Sequence, residues 1–272
     1  MKKLWLLLGG LCLALLMCEK PSTEEPNQVV SLSVEATEGG KGVVLTWEPA
    51  DNAETYNVYF NGELLLSEIT AAEYIHSSPT KTGYYTVSAL ASDQEGPESD
   101  SVSTEPVIQV HIVYELNGEG DQGIAWDVKA ESTDVYPMVD ETHQDKIDCY
   151  FTDWMPGCDG CYEIGDYSLT SGEELWEDNG NTWLDPSGWR QTGISDSLEG
   201  VSFDEVCLVP YYSLDSLMYY NYTDVSVGGI YAIWGEDGYY GLIEVQDMDP
   251  PIGQLTVRTA FQRIKGFRLF KR

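Results

Sequence analysis

The sequence predicts an all-β protein built from two sandwich-like modules in succession. Apolar and polar residues alternate over short runs, as in Val43, Leu45, Trp47 and in Tyr56, Val58, Phe60. Gly, Pro, Asn and Asp separate those runs, and no helical period appears between Val29 and Thr104. Alternation puts successive side chains on opposite faces of a strand, and turn-forming residues at short intervals return the chain for antiparallel pairing.

Residues 1–18 read as an export signal, with Lys2 and Lys3 before an apolar run from Leu4 to Met17. That run is shorter than the ~20 residues a spanning helix needs, and the polar stretch 19–26 follows it at once. Leu15-Leu16-Met17-Cys18 resembles a bacterial lipobox, which implies lipidation of Cys18 and membrane attachment through that lipid. Met17 departs from the small residue preferred there, so secretion without a lipid is the alternative.

The first module spans 27–105. Lys41-Gly42 introduces the Val43–Trp47 strand, Glu48-Pro49 ends it, and Tyr56–Phe60 runs into Asn61-Gly62, a strong hairpin signal. Tyr85, Val87 and Ala89 form the next alternating run, and Ser99–Ser103 gives a final polar strand. Leu45-Thr46-Trp47-Glu48-Pro49, Tyr56-Asn57-Val58-Tyr59, Tyr85-Thr86-Val87-Ser88-Ala89 and Gly96-Pro97-Glu98-Ser99, in that order, resemble a fibronectin type III domain. The resemblance implies an immunoglobulin-like sandwich with Trp47 in its core, Tyr84 or Tyr85 near a tyrosine corner, and the role of a spacer or docking unit. The adhesive Arg-Gly-Asp tripeptide of some members is absent.

Thr104-Glu105-Pro106 marks the boundary, and 106–272 is expected to form a second β-sandwich-like domain. Its first strand alternates Ile108, Val110, Ile112 and Tyr114, which places His111 on a polar face. Further strands are expected at 123–129, 146–154, 205–209, 229–234, 239–245 and 254–262, with a hairpin around Gly235-Glu236-Asp237-Gly238. The closing part, from Gly229 to Leu242, resembles the hairpin of uncharacterised bacterial surface-lipoprotein domains, some of which bind haem.

The net charge of −32 excludes nucleic acid as a partner, because phosphate binding needs clustered Lys and Arg. Between Pro106 and Val257 the only basic residues are Lys129, Lys146 and Arg190. Arg258, Arg263, Lys265, Arg268, Lys271 and Arg272 then follow with no acid among them. The expectation is that this end docks on the acidic body as a strand, the alternative being a solvated tail on an anionic surface.

Of six cysteines, Cys12 and Cys18 fall in the leader, which leaves Cys149, Cys158, Cys161 and Cys207. An even number in an exported chain points to disulfides, and sequence permits three pairings. Cys149 beside Ile147 and Phe151, and Cys207 beside Phe203 and Val209, suggest two inward cysteines on strands; the expected pairs are Cys149–Cys207 and Cys158–Cys161. Zinc held by four thiolates is the alternative.

No catalytic constellation is expected, and the chain is expected not to be an enzyme. Forty-six Asp and Glu residues guarantee candidate pairs such as Asp148 with Asp153 or Glu173 with Glu174, so such pairs discriminate nothing. His76, His111 and His143 are the only histidines, and no Gly-x-Ser-x-Gly elbow accompanies them. His111 and His143 are the candidates if haem were bound. Glu177-Asp178-Asn179-Gly180-Asn181 is an oxygen-rich turn that makes calcium a candidate ion, although it does not match the twelve-residue loop. Binding is expected to fall to loop aromatics, with Trp176, Trp183 and Trp189 as candidates and core filling as the alternative. The reading is a non-catalytic surface or secreted binding protein without a required cofactor. Its ligand, carbohydrate or protein, is taken by the C-terminal domain. A secreted carbohydrate-active protein and a metal- or haem-binding lipoprotein are the alternatives.

Overall fold

The computed structural model describes residues 25–92, 94–138, 142–153, 166–175, 184–185, 187–215 and 217–272. In the first module β1 (Val30–Ala36), β2 (Val43–Glu48) and β5 (Glu73–His76) form one sheet in the order β1-β2-β5. Facing it are β4 (Glu63–Ile69), β3 (Thr55–Phe60), β6 (Tyr84–Ala91) and β7 (Gln94–Glu95) in the order β4-β3-β6-β7, with β8 (Val102–Ser103) also paired to β6. Asn61 and Gly62 both have positive φ, 53° and 77°, so the β3–β4 hairpin closes with the backbone twist the two strands require. Val43, Leu45 and Trp47 of β2 meet Tyr56 and Val58 of β3 and Tyr85, Val87 and Ala89 of β6 in one core. Trp47 packs edge-on against Tyr56, ring centroids 5.3 Å apart. Of the two tyrosines, Tyr85 points inward with its hydroxyl 2.8 Å from His76 Nδ1, and Tyr84 is exposed.

The second unit is a sandwich of two five-stranded antiparallel sheets. One runs β14 (Thr192–Ser197), β16 (Ile230–Gly235), β17 (Tyr240–Asp249), β18 (Gln254–Phe261), β9 (Val107–Tyr114). The other runs β11 (Ser132–Tyr136), β10 (Gly123–Asp127), β12 (Cys149–Thr152), β13 (Ser168–Ser171), β15 (Tyr222–Asp224). Between them lie Val113, Ile194, Ile233, Ile243 and Val257 from the first sheet and Ile124, Cys149, Phe151 and Leu169 from the second. The outer face of the β9-containing sheet is covered in turn by Phe203, Val206, Val209 and Phe270, which pack on Ala232, Leu242 and Ala260.

Three expectations are corrected here. The faces of β9 are inverted, since Val113 is buried and Val110 and Ile112 are more than half exposed. His111 pairs with Val257 and Val113 with Leu255, and both partners belong to the inner core, so His111 lies on the inner side of the strand. The segment 205–209 is not a strand; a 3₁₀ turn at Phe203–Glu205 leads to a single bridge between Leu208 and Leu269. The Cys149–Cys207 disulfide is not formed, and both are free thiols. Cys149 is buried between the sheets, whereas Cys207 is exposed in the segment that covers the outer face of the β9-containing sheet, so that whole sheet stands between them. Cys158 and Cys161 lie outside the described residues, as does Cys18. A thiol reagent applied to native protein should label Cys207 and spare Cys149 until unfolding; equal labelling in a peptide map would contradict this placement.

The basic end docks, but not as a strand: of its basic residues only Arg258 lies in β18, and the rest follow in turns with a single bridge at Leu269. After β18 the chain crosses back to the first module, where Ile264, Phe267 and Leu269 join the core that holds Trp47. The Thr82 N–H donates to the Lys271 carbonyl over 2.6 Å, and the Arg268 N–H donates to the Gly40 carbonyl over 3.0 Å. Gly40 has φ +65°, and an added Cβ there would run into the Gly266 carbonyl oxygen, so only glycine lets the two segments touch. The charges find partners on the body as well: Lys271 with Glu205, and Arg258 and Arg272 with Asp204, at 2.5–2.8 Å.

Candidate functional site

A cleft of about 710 Å³ opens at the end of the second sandwich where β17 turns into β18. Tyr114 is the last residue of β9 in one sheet, and the Leu116 N–H donates to the Phe151 carbonyl in the other over 2.8 Å. Glu115 therefore stands where the chain crosses from sheet to sheet. Its own N–H donates to the Gly253 carbonyl over 2.8 Å, which ties the crossing to the 3₁₀ turn Pro250–Ile252. Gly253 has φ +63°, and a Cβ there would lie 2.7 Å from Glu115 Cγ, so the glycine makes room for the carboxyl. Asp153 follows β12 and Tyr167 precedes β13, and both line the same cleft with Tyr114, Pro250 and Ile252.

Glu115 is only 8 % exposed. Burial pushes its carboxyl up to about 7; the Asn117 N–H, donating to Oε2 over 2.9 Å, opposes this, and the neighbouring charge of Asp153 adds to it. Asp153 is itself raised by burial. Tyr167 is 1 % exposed, and burial with the nearby charges of Asp153, Glu115 and Asp249 pushes its phenol up to about 12. The cleft thus holds one carboxyl that keeps its proton near neutral pH beside a second one, an arrangement that can donate and accept hydrogen bonds together.

Because Glu115 is raised above its ordinary 4.5, the folded protein binds more protons than the unfolded chain between 4.5 and about 7. Stability falls as pH rises through that window. Glu115→Gln should match wild type in thermal unfolding below 4.5 and exceed it above about 7. The same pH slope in both proteins would show that Glu115 ionises freely.

At the opposite end of the sandwich Arg190 joins the two sheets. Its Nε donates to Asp148 Oδ1 over 2.8 Å and its guanidinium reaches Asp237 Oδ2 at 2.6 Å on the β16–β17 hairpin. Asp148 is buried, and burial raises its carboxyl to about 6 against the pull of Arg190 and of the Trp126 N–H. Asp148 and Asp153 flank β12 at its two ends, so they belong to separate sites. Glu174 is engaged with the Asn221 side chain.

Trp189 is buried with Leu116, Met138 and Tyr150, and its Nε1 donates to the Asp185 carbonyl over 2.8 Å; it fills a core and offers no platform. Trp176, Trp183 and the calcium candidate at 177–181 lie outside the described residues. His143 stacks on Tyr136 with centroids 4.4 Å apart, and His111 lies on the inner face of β9. Among the described residues no three His, Cys, Asp or Glu side chains are placed to share a metal ion. Glu115 was not distinguishable in the sequence, since only the crossing of the sheets buries it.

No family profile and no curated protein matches the chain. Solved structures similar to it include an Fn3-like protein from Clostridium thermocellum, 25% identical over 30% of this chain and 90% of that one, with a TM-score of 0.26. FN3tt is 18% identical over 29% of this chain and 92% of its own, at a TM-score of 0.25. A DUF4466 family protein from Parabacteroides merdae is 12% identical over 90% of this chain and 96% of its own, at a TM-score of 0.43.

Proposed function

We propose that this β-rich chain is a non-catalytic recognition protein of the bacterial cell envelope, exported and held by a lipid on Cys18 or secreted. In this reading the first module is a spacer and the second unit binds a saccharide in the cleft at Glu115. The supporting observation is the cleft itself, which brings the carboxyls of Glu115, Glu119 and Asp153 and the buried Tyr167 together with the carbon surfaces of Tyr114, Pro250, Pro251 and Ile252. Saccharide sites combine these features: hydrogen-bonding groups for ring hydroxyls and carbon surfaces for ring faces.

A second reading is favoured by one observation. Glu115, raised to about 7 by burial, shares one cleft with a second carboxyl, Asp153, and glycoside hydrolysis uses a pair of carboxyls of which one has a raised pKa. A panel of polysaccharides separates the two readings. Binding without release of reducing ends supports recognition, turnover abolished by Glu115→Gln supports hydrolysis, and no binding to any member removes both. Cys18→Ser should move the protein from the membrane fraction to the soluble one; an unchanged distribution would remove the lipid anchor.

A further inference from the structure

We infer that the Arg190 end of the second sandwich carries a separate pocket for an acidic sugar, its carboxylate held by Lys129 and Lys146 and its ring set against Trp126 and Tyr136. This goes beyond the cleft at Glu115 and does not depend on it. A hollow of about 280 Å³ lies there, bordered by the turn between β10 and β11 and by the hairpin turn between β16 and β17. Lys129, Lys146 and Arg190 all line it. They are every basic residue between Pro106 and Val257, in a chain whose net charge is −32. The fold thus gathers into one hollow all the positive charge that this stretch possesses, and such gathering is what draws an anion to an acidic protein.

Three carboxylates line the hollow as well, and two of them are engaged. Asp237 takes the Arg190 guanidinium at 2.6 Å, and Asp127 Oδ1 accepts the N–H groups of Lys129 and Ala130 over 2.8 and 2.9 Å. Those two amides, and after them the charges of Lys129 and Lys146, hold the Asp127 carboxyl below its ordinary value, so both ammonium groups stand near it. Neither lysine forms an ion pair among the described residues, and Lys146 Nζ lies 5.3 Å from the centre of the Tyr136 ring. A third donor is buried: Trp126 Nε1 meets no acceptor among the described residues. Buried polar groups are nearly always paired, so an acceptor is wanting beside the indole. Two open ammonium groups and an unpaired indole N–H call for a ligand that brings acceptor oxygens with negative charge.

The rest of the lining fits a sugar as the bearer of that charge. Asp127 and the exposed Asp145 accept hydrogen bonds from ring hydroxyls, which an aromatic acid lacks. Trp126 and Tyr136 supply the flat carbon surface against which a sugar ring packs. The indole is set from behind by Gly241, where an added Cβ would lie 3.2 Å from Trp126 Cζ2. The volume falls just under the lower bound of about 300 Å³ for drug-sized ligands, which leaves room for one ring.

The test is calorimetric titration of the whole protein at low salt with glucuronate, glucose, benzoate and sulfate. Glucuronate should bind at least about tenfold more tightly than the other three, and added salt should weaken it. Lys129→Gln and Lys146→Gln, both at exposed positions, should each weaken it about fivefold or more with circular dichroism unchanged. Trp126→Phe, which keeps a ring and removes the N–H, should weaken it by a smaller factor. Equal affinity for glucose would overturn the carboxylate assignment, and equal affinity for benzoate or sulfate would overturn the sugar. Lysine variants with wild-type affinity would overturn the site. Loss of binding in Glu115→Gln, with the lysine variants unaffected, would move glucuronate to the other cleft and overturn it likewise. No heat from glucuronate at millimolar concentration would remove this pocket alone, since the cleft at Glu115 answers to the polysaccharide panel.

Discussion

A chain ending at Phe261 should be unable to hold its first module folded. Residues 262–272 place Ile264, Phe267 and Leu269 in the core that contains Val43, Leu45, Trp47 and Tyr85. Loss of a single buried Phe or Leu costs about 2–5 kcal/mol, and a small domain has only about 5–15 kcal/mol in total. Three such losses at once, with the Thr82–Lys271 and Gly40–Arg268 hydrogen bonds, exceed what a module of this size can absorb. Phe267→Ala is the milder test, with an expected cost of about 3–5 kcal/mol by urea unfolding. A truncated chain with the full-length midpoint would show that the tail merely rests on the surface.

The second large effect is expected at Asp148. Its side chain is 2 % exposed and holds Arg190 Nε at 2.8 Å and the Trp126 N–H at 2.9 Å. Asp148→Ala leaves a mostly buried guanidinium without its inner partner, and breaking a buried pair from one side costs about 3–5 kcal/mol. Replacing both residues by apolar ones of similar volume removes the stranded charge along with the pair. Asp148→Leu combined with Arg190→Met should therefore be less destabilised than Asp148→Ala alone. If the double variant loses as much as the sum of its parts, the pair acts through packing and its charge is incidental.

The residues that declared themselves in sequence did so through local rules. Asn61-Gly62 requires positive φ at two successive positions, and Val43, Leu45 and Trp47 show the period of a half-buried strand; both hold in the structure. The reading of β9 failed because Val110 and Ile112 are apolar on the solvent side, while the inner side carries Gln109, whose side chain accepts the Thr133 N–H, and His111. Alternation reports that two faces differ, and apolarity alone does not say which of them is covered. Cys207 followed the same path: alternation with Phe203 and Val209 suggested a strand, and the 3₁₀ turn at Phe203–Glu205 shifts the phase so that Val206 and Val209 go in and Cys207 goes out. The site was the least legible part. Glu115 differs from the other acids only through the sheet crossing, the room left by Gly253 and the approach of Asp153, all of which are long-range.

The bonds that tie the tail to the first module join residues far apart in order of synthesis: Thr82 and Lys271 are 189 positions apart, and Gly39 and Arg268 are 229. Closing so long a loop adds little to its entropic cost, because that cost grows only with the logarithm of length. It does postpone the event. When residue 105 leaves the ribosome, both sheets of the first module have been made, yet one wall of their core has not been synthesised. That module, first in the chain, is therefore among the last parts to become watertight, and its folding rate should follow the completion of the second unit.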